Sequence, residues 1–201
     1  LANMKPPIER AGGSIELMIY DATKPSLRTE VDQVMRARPD ILVLGGYTPD
    51  TTVLLRDIFR AGFRGKLLAY AYSVNQQMIG SLPHDVTEGI YTLAPSPAQG
   101  SGGFDRVKRI VGNDNPDPYT CQIYDQVNLV LMAMAVGNDA TGQGIHDNIR
   151  RVSQGGGEKV DNAMDGLRAI AAGRKVDYDG ASGPCDFTAA GDITDCQFRY
   201  D

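Results

Sequence analysis

The string Gly45-Gly46-Tyr47-Thr48-Pro49 closes a short apolar run, Ile41-Leu42-Val43-Leu44, and puts a tyrosine on a turn. Two glycines let a backbone come close to a ligand, and a tyrosine offers an apolar ring face with a hydroxyl that donates or accepts. That chemistry is recognition. Tyr47 either touches a bound molecule or covers the end of a sheet, and its loop position leaves both readings open.

Bond-making chemistry finds less support. His84 and His146 are the only histidines, without Cys or carboxylate at metal-ligand spacing, so they read as surface residues and not as a metal site or triad. The glycine-rich strings around Gly102 and Gly156 do not follow a strand and lack the Gly-Lys-Ser/Thr ending of a phosphate loop. Ser182 is not a nucleophile elbow, because Gly183 and Pro184 follow it directly. The run from Gly112 to Pro118 has oxygen ligands but not the Gly and Glu placement of a calcium loop, and reads as a solvated turn. No cofactor and no enzymatic activity are expected.

The chain has 201 residues, 42% of them apolar, enough for one sizeable core or two small ones. Its net charge of −5 arises from 25 acidic and 20 basic residues without a basic run, which excludes a phosphate-tracking surface and argues against nucleic acid. The longest apolar run, Leu129 to Val136, is far too short to cross a membrane.

The elements that must position these residues begin as a βα repeat. Residues 14–20 alternate as a strand, 26–36 have helical spacing, and 40–44 form a buried strand. A helix over 51–61, a strand over 66–71, a short helix over 74–81 and a strand over 88–93 follow. This order predicts a parallel sheet covered on both faces. After Pro95-Ser96-Pro97 the strands are expected to disappear for about eighty residues, with helices over 104–111, 119–136, 142–152 and 162–172. A hairpin is expected at the end, with arms Cys185-Asp186-Phe187 and Cys196 to Tyr200. Cross-strand neighbours come within disulfide distance, so Cys185 and Cys196 form either a disulfide, fitting an oxidising compartment, or two reduced core thiols. Cys121 opens an apolar helix and reads as a buried thiol.

The strings running from Pro39 to Leu68, Thr87 to Ala98, Tyr119 to Ala135 and Gly180 to Ile193 together resemble the periplasmic substrate-binding proteins of branched-chain amino acid type ABC transporters. The resemblance covers essentially the whole chain. It implies an α/β fold: a parallel-sheet, Rossmann-like lobe of a type I periplasmic binding protein, plus helices belonging to a second, incomplete lobe. Residues 1–93 would form the second ligand-binding lobe, 94–179 the hinge crossing and helices of the first lobe, and 180–201 a return segment completing the second. The chain starts in what reads as the tail of a helix and stops inside a strand, so a fragment lacking an N-terminal lobe is expected.

The resemblance implies that Tyr47 faces the ligand cleft, with Gly46 beside it. It also implies a carboxylate one strand further on, to pair with the α-ammonium of an amino acid, yet Ala69-Tyr70-Ala71-Tyr72-Ser73 has none. A cation in a dehydrated cleft needs an anionic partner. Tyr70 or Tyr72, with Ala71 between them, is therefore expected either to face the cleft, suiting an aromatic, carboxylate or amide-bearing ligand, or to pack in the core. The implied function is that of a periplasmic solute-binding component whose partners are a small-molecule ligand and the membrane permease of an ABC importer. A ligand sensor on the same fold is the alternative. The apolar helix over 119–136, without its sheet, would either pack onto its own lobe or drive self-association.

Overall fold

The computed structural model describes residues 4–154 and 156–200; residues 1–3 of the expected helical tail and residue 201 of the expected terminal strand lie outside them. The chain divides into two compact units, Leu1–Leu93 with Tyr200–Asp201, and Ala94–Arg199.

In the first unit α1 (Lys5–Arg10), which buries no residue, precedes α2 (Arg28–Arg36), β1 (Ile41–Leu44), α3 (Thr48–Arg60), β2 (Lys66–Tyr70), α4 (Gln76–Ser81), α5 (His84–Thr87) and β3 (Ile90–Pro95). The βα alternation of the sequence produces a parallel ladder, with Ile41 opposite Lys66 and Leu67 opposite Ile90. The four-stranded sheet runs β1-β2-β3-β6, the last strand being Phe198–Tyr200.

Pleating sends Leu42, Leu44, Leu67, Ala69 and Ile90 to one face, where they join a core with Leu27 and Val31 of the α2 segment and Leu54, Leu55 and Ile58 of α3. The start of α2 is tied to α3 through Asp57, 3% exposed, which accepts from the Ser26 hydroxyl at 3.0 Å and the Leu27 N–H at 2.8 Å. The opposite face leaves Ile41, Val43, Tyr70 and Tyr91 exposed. The expected two-sided cover is thus corrected to one-sided cover. Residues 14–20 have the alternation of a strand, yet they belong to neither sheet, and β1 is the end strand of its ladder. Alternation marks a strand only when a neighbouring edge is available to pair with it.

The second unit contains α6 (Gly102–Val111), α7 (Pro118–Gly137), α8 (Gly142–Ser153), β4 (Glu158–Val160), α9 (Ala163–Ala171) and β5 (Val176–Tyr178). The strand-free stretch expected here is overturned, because β4 and β5 pair in parallel, Glu158 opposite Val176. At three residues each they are too short to show a period. They supply the surface α7 needs: Leu129, Met132 and Ala133 of α7 pack with Val160, Val176 and Tyr178, and with Ala163 and Ala169 of α9. The helices approach so closely that a Cβ at Gly166 would collide with the Met132 sulfur. The other side of α7 exposes Ile123, Val127 and Leu131, one helical turn apart.

The terminal hairpin is reduced to an isolated antiparallel bridge between Phe187 and Ile193, while β6 joins β3. All three thiols are free; Cys121 and Cys185 are buried and Cys196 is exposed. The expected Cys185–Cys196 disulfide is therefore corrected: Cys185 has positive φ and turns its sulfur inward, 3.4 Å from the Gly183 carbonyl and 3.8 Å from Asp125.

Candidate functional site

Tyr47 is the residue before α3, in extended conformation, and α3 begins one turn earlier than its periodicity suggested. Pro49 sits in the first turn, where its missing N–H costs nothing. Asp50 fixes this turn: its Oδ1 accepts the Tyr47 N–H at 2.9 Å, and its Oδ2 accepts the Tyr20 hydroxyl at 2.5 Å. Burial, then the hydrogen bond to Asp50, raises the Tyr20 phenol above its ordinary range.

Gly46 is buried, and a Cβ there would strike the Asp50 carboxylate and the Tyr20 hydroxyl. Its missing side chain makes room for that pair, and its carbonyl accepts from the Ser73 hydroxyl. Gly46 thus holds the turn from beneath. Ala71, half-buried, donates its N–H to the Leu93 carbonyl at 2.9 Å, extending the β2–β3 ladder. Thr48 donates its hydroxyl to the Tyr72 carbonyl at 3.1 Å, and Asn75 reaches Thr48 Oγ1 at 3.3 Å while capping α4 through the Met78 N–H. The turns after β1 and β2 are therefore stitched together.

The result is a cluster of three tyrosines. Tyr70 and Tyr72 stack with centroids 5.3 Å apart and planes 4° apart; Tyr47 leans on Tyr72 at 5.6 Å and 41°. Tyr47 is 73% exposed, Tyr72 41% and Tyr70 37%, so Tyr72 is not a core residue. Partial burial raises the Tyr72 phenol. Residue type and turn position pointed to Tyr47 and Tyr72. They did not reveal Tyr20, Asp50, Thr48 and Ser73, although an acidic residue three positions into a helix is a recognisable capping signal.

A second polar cluster is structural. Asp125 of α7, 2% exposed, accepts from the Tyr178 hydroxyl and Ala181 N–H at 2.8 Å each, the Ser182 N–H at 2.6 Å and the Ser182 hydroxyl at 2.5 Å. These bonds clamp the loop after β5 onto α7. Burial and the Asp125 charge push the Cys185 thiol up to about 12 and the Cys121 thiol to about 11. His84 and His146 are exposed and pair with Glu88 and Asp147. Among the described residues no group of three His, Cys, Asp or Glu could hold a metal, and no helix is long and apolar enough to cross a membrane.

The parallel ladder, with tyrosines on the turns at the carboxyl ends of its strands, defines an α/β fold. The type I periplasmic binding fold is shared with a leucine-binding protein from Thermotoga maritima (TM-score 0.66, 16% identity, covering 95% of this chain and 52% of that one). It is shared too with an ABC-transporter solute-binding protein from R. palustris, solved with benzoate (TM-score 0.61, 12% identity, 100% and 50% covered). In sequence the chain is 25% identical over 163 residues to the chemotactic signal transduction system substrate-binding protein BasB of Halobacterium salinarum, covering 80% of this chain and 38% of that protein. No family model matches. The chain spans about half the length of the solved structures it matches and less of the curated relative.

Proposed function

We propose that this chain is part of an extracytoplasmic solute-binding protein that serves an ABC importer, and that it binds a small organic molecule at the carboxyl ends of β1 and β2. The observation that carries this reading is the exposed Tyr47–Tyr72 pair, whose rings lie 5.6 Å apart on the turns of adjacent parallel strands. Exposed aromatic surface at a strand's carboxyl end is costly to leave wet and useful to a ligand. The solved proteins of this fold support the assignment, since they include binders of leucine and benzoate. The role proposed is binding, in keeping with the solved proteins of this fold, which are binding proteins. Residues 1–93 are the ligand-contacting lobe, residues 94–179 the hinge crossing and helices of a partner lobe, and residues 180–201 the return segment. Docking on a membrane permease is the downstream step.

The likeness to a chemotactic substrate-binding protein favours a second reading, in which the loaded protein signals to a membrane transducer. A thermal-shift screen against amino acids, aromatic acids and amides tests the binding role, because a ligand stabilises the native state by mass action. A hit that Tyr47→Ala weakens by about 1–3 kcal/mol, the worth of a buried aromatic contact with its hydrogen bond, supports it. Unchanged affinity in that variant removes Tyr47 from the site.

A further inference from the structure

Resting on the solute-binding reading, we infer that the Tyr47–Tyr70–Tyr72 cluster selects a ligand with a flat, π-bonded ring, neutral or anionic, over an aliphatic α-amino acid or a quaternary ammonium ion. Three features of the two turns carry this. Tyr70 and Tyr72 are already stacked with an offset, 5.3 Å between centroids and 4° from parallel, so a further flat ring extends a geometry the protein has built. Tyr47, 73% exposed and tilted 41° to Tyr72, borders that stack and offers a ring edge and hydroxyl to a polar substituent.

Charge points the same way. Asp50, the carboxylate of the first turn, is 7% exposed and has both oxygens engaged, one by the Tyr47 N–H and one by the Tyr20 hydroxyl. Residues 69–73, the end of β2 and the turn after it, contain no acid. Neither turn offers a carboxylate to an ammonium group, which would lose its hydration on entering without an anionic partner. An aromatic cage for a quaternary ammonium needs ring faces converging on one point. Here two of the three faces are parallel and turned on each other.

Saturation-transfer NMR on the 201-residue chain, which reports weak binding at millimolar ligand, tests this with benzoate, benzamide, cyclohexanecarboxylate, leucine and tetramethylammonium as probes. Benzoate and benzamide should take up saturation on their ring protons, with the other probes roughly fivefold lower, about 1 kcal/mol of preference. Tyr72→Leu and Tyr47→Leu should each lower the ring-proton signal, and Tyr47→Phe should keep most of it. Circular dichroism verifies that the variants fold, and Tyr47, being mostly exposed, keeps the test available if Tyr72→Leu does not. Equal signals from cyclohexanecarboxylate and benzoate would show an apolar patch without selection for flatness. Leucine or tetramethylammonium binding that depends on Tyr47 would overturn the ligand class while sparing the solute-binding reading. Signals indifferent to Tyr47→Leu and Tyr72→Leu, or no signal from any probe, would overturn both.

Discussion

The Tyr20 hydroxyl donates to Asp50 Oδ2 at 2.5 Å across thirty residues of sequence, while the other oxygen of that carboxylate takes the Tyr47 N–H. One buried acid therefore joins the segment before α2 to the turn that presents Tyr47, with Gly46 leaving the space for it.

Asp50→Ala should lower stability by about 1–3 kcal/mol, since it removes a helix-start acceptor and leaves the Tyr20 hydroxyl without its partner. Asp50→Asn keeps an oxygen for the Tyr47 N–H and should cost less. Urea unfolding gives the energies, and hydrogen exchange at the Tyr47 amide should rise more in the alanine variant. Equal stability and equal exchange in both variants would show that the carboxylate does not fix the turn.

Thiol labelling of the native chain should modify Cys196 first and leave Cys121 and Cys185 protected until the protein is unfolded, because Cys196 alone is exposed. Reactivity needs both access and thiolate, and burial denies Cys185 each of them. Non-reducing peptide mapping that found Cys185 linked to Cys196 would contradict the structure.

Asp125→Ala should be more damaging than Asp50→Ala, by roughly 3–5 kcal/mol in total, in the range for breaking a buried charged network. It strands the Tyr178 hydroxyl, two backbone N–H groups and the Ser182 hydroxyl together. A loss within ~1 kcal/mol of wild type would mean that water replaces the carboxylate.

Alkaline pH should destabilise the second unit. Burial, followed by the Asp125 charge, raises the Cys185 thiol from 9.0 to about 12 and the Cys121 thiol from 9.0 to about 11, and it raises the Tyr178 phenol as well. The native state then binds more protons than the unfolded state above pH 9, so this stability is complete below the unfolded thiol's value and is lost as pH rises through the folded values. The urea midpoint should be flat near pH 8 and fall from pH 9 to 11, less steeply in Cys185→Ala. A flat profile to pH 11 would sink the argument.

The exposed stripe Ile123, Val127 and Leu131 on α7 should bind a dye that reports apolar surface and promote self-association of the chain. Ile123→Glu with Val127→Glu should reduce both without unfolding α7, since neither side chain is in the core. Light scattering from a monodisperse monomer, with no dye signal in the wild-type chain, would show the stripe to be inert.

The sequence by itself determined the βα repeat of residues 26–95 and the long helices, because long amphipathic segments state their period over many residues. It also placed Tyr47 and Tyr72 on turns at strand ends. Three-residue strands state no period, so β4 and β5 are visible only in the tertiary structure, where they pair with each other and pack against α7 and α9. Residues 14–20 show the reverse case, a strand-like pattern with no ladder, since pairing depends on the neighbouring edge and not on the segment. Hairpin spacing favoured a Cys185–Cys196 bond, but the backbone at Cys185 turned its sulfur toward Asp125, sixty residues away in sequence. Only the tertiary structure could bring Tyr20 and Asp50 beneath Tyr47 and lay Tyr70 parallel to Tyr72, because contacts between distant residues are set by how the elements pack.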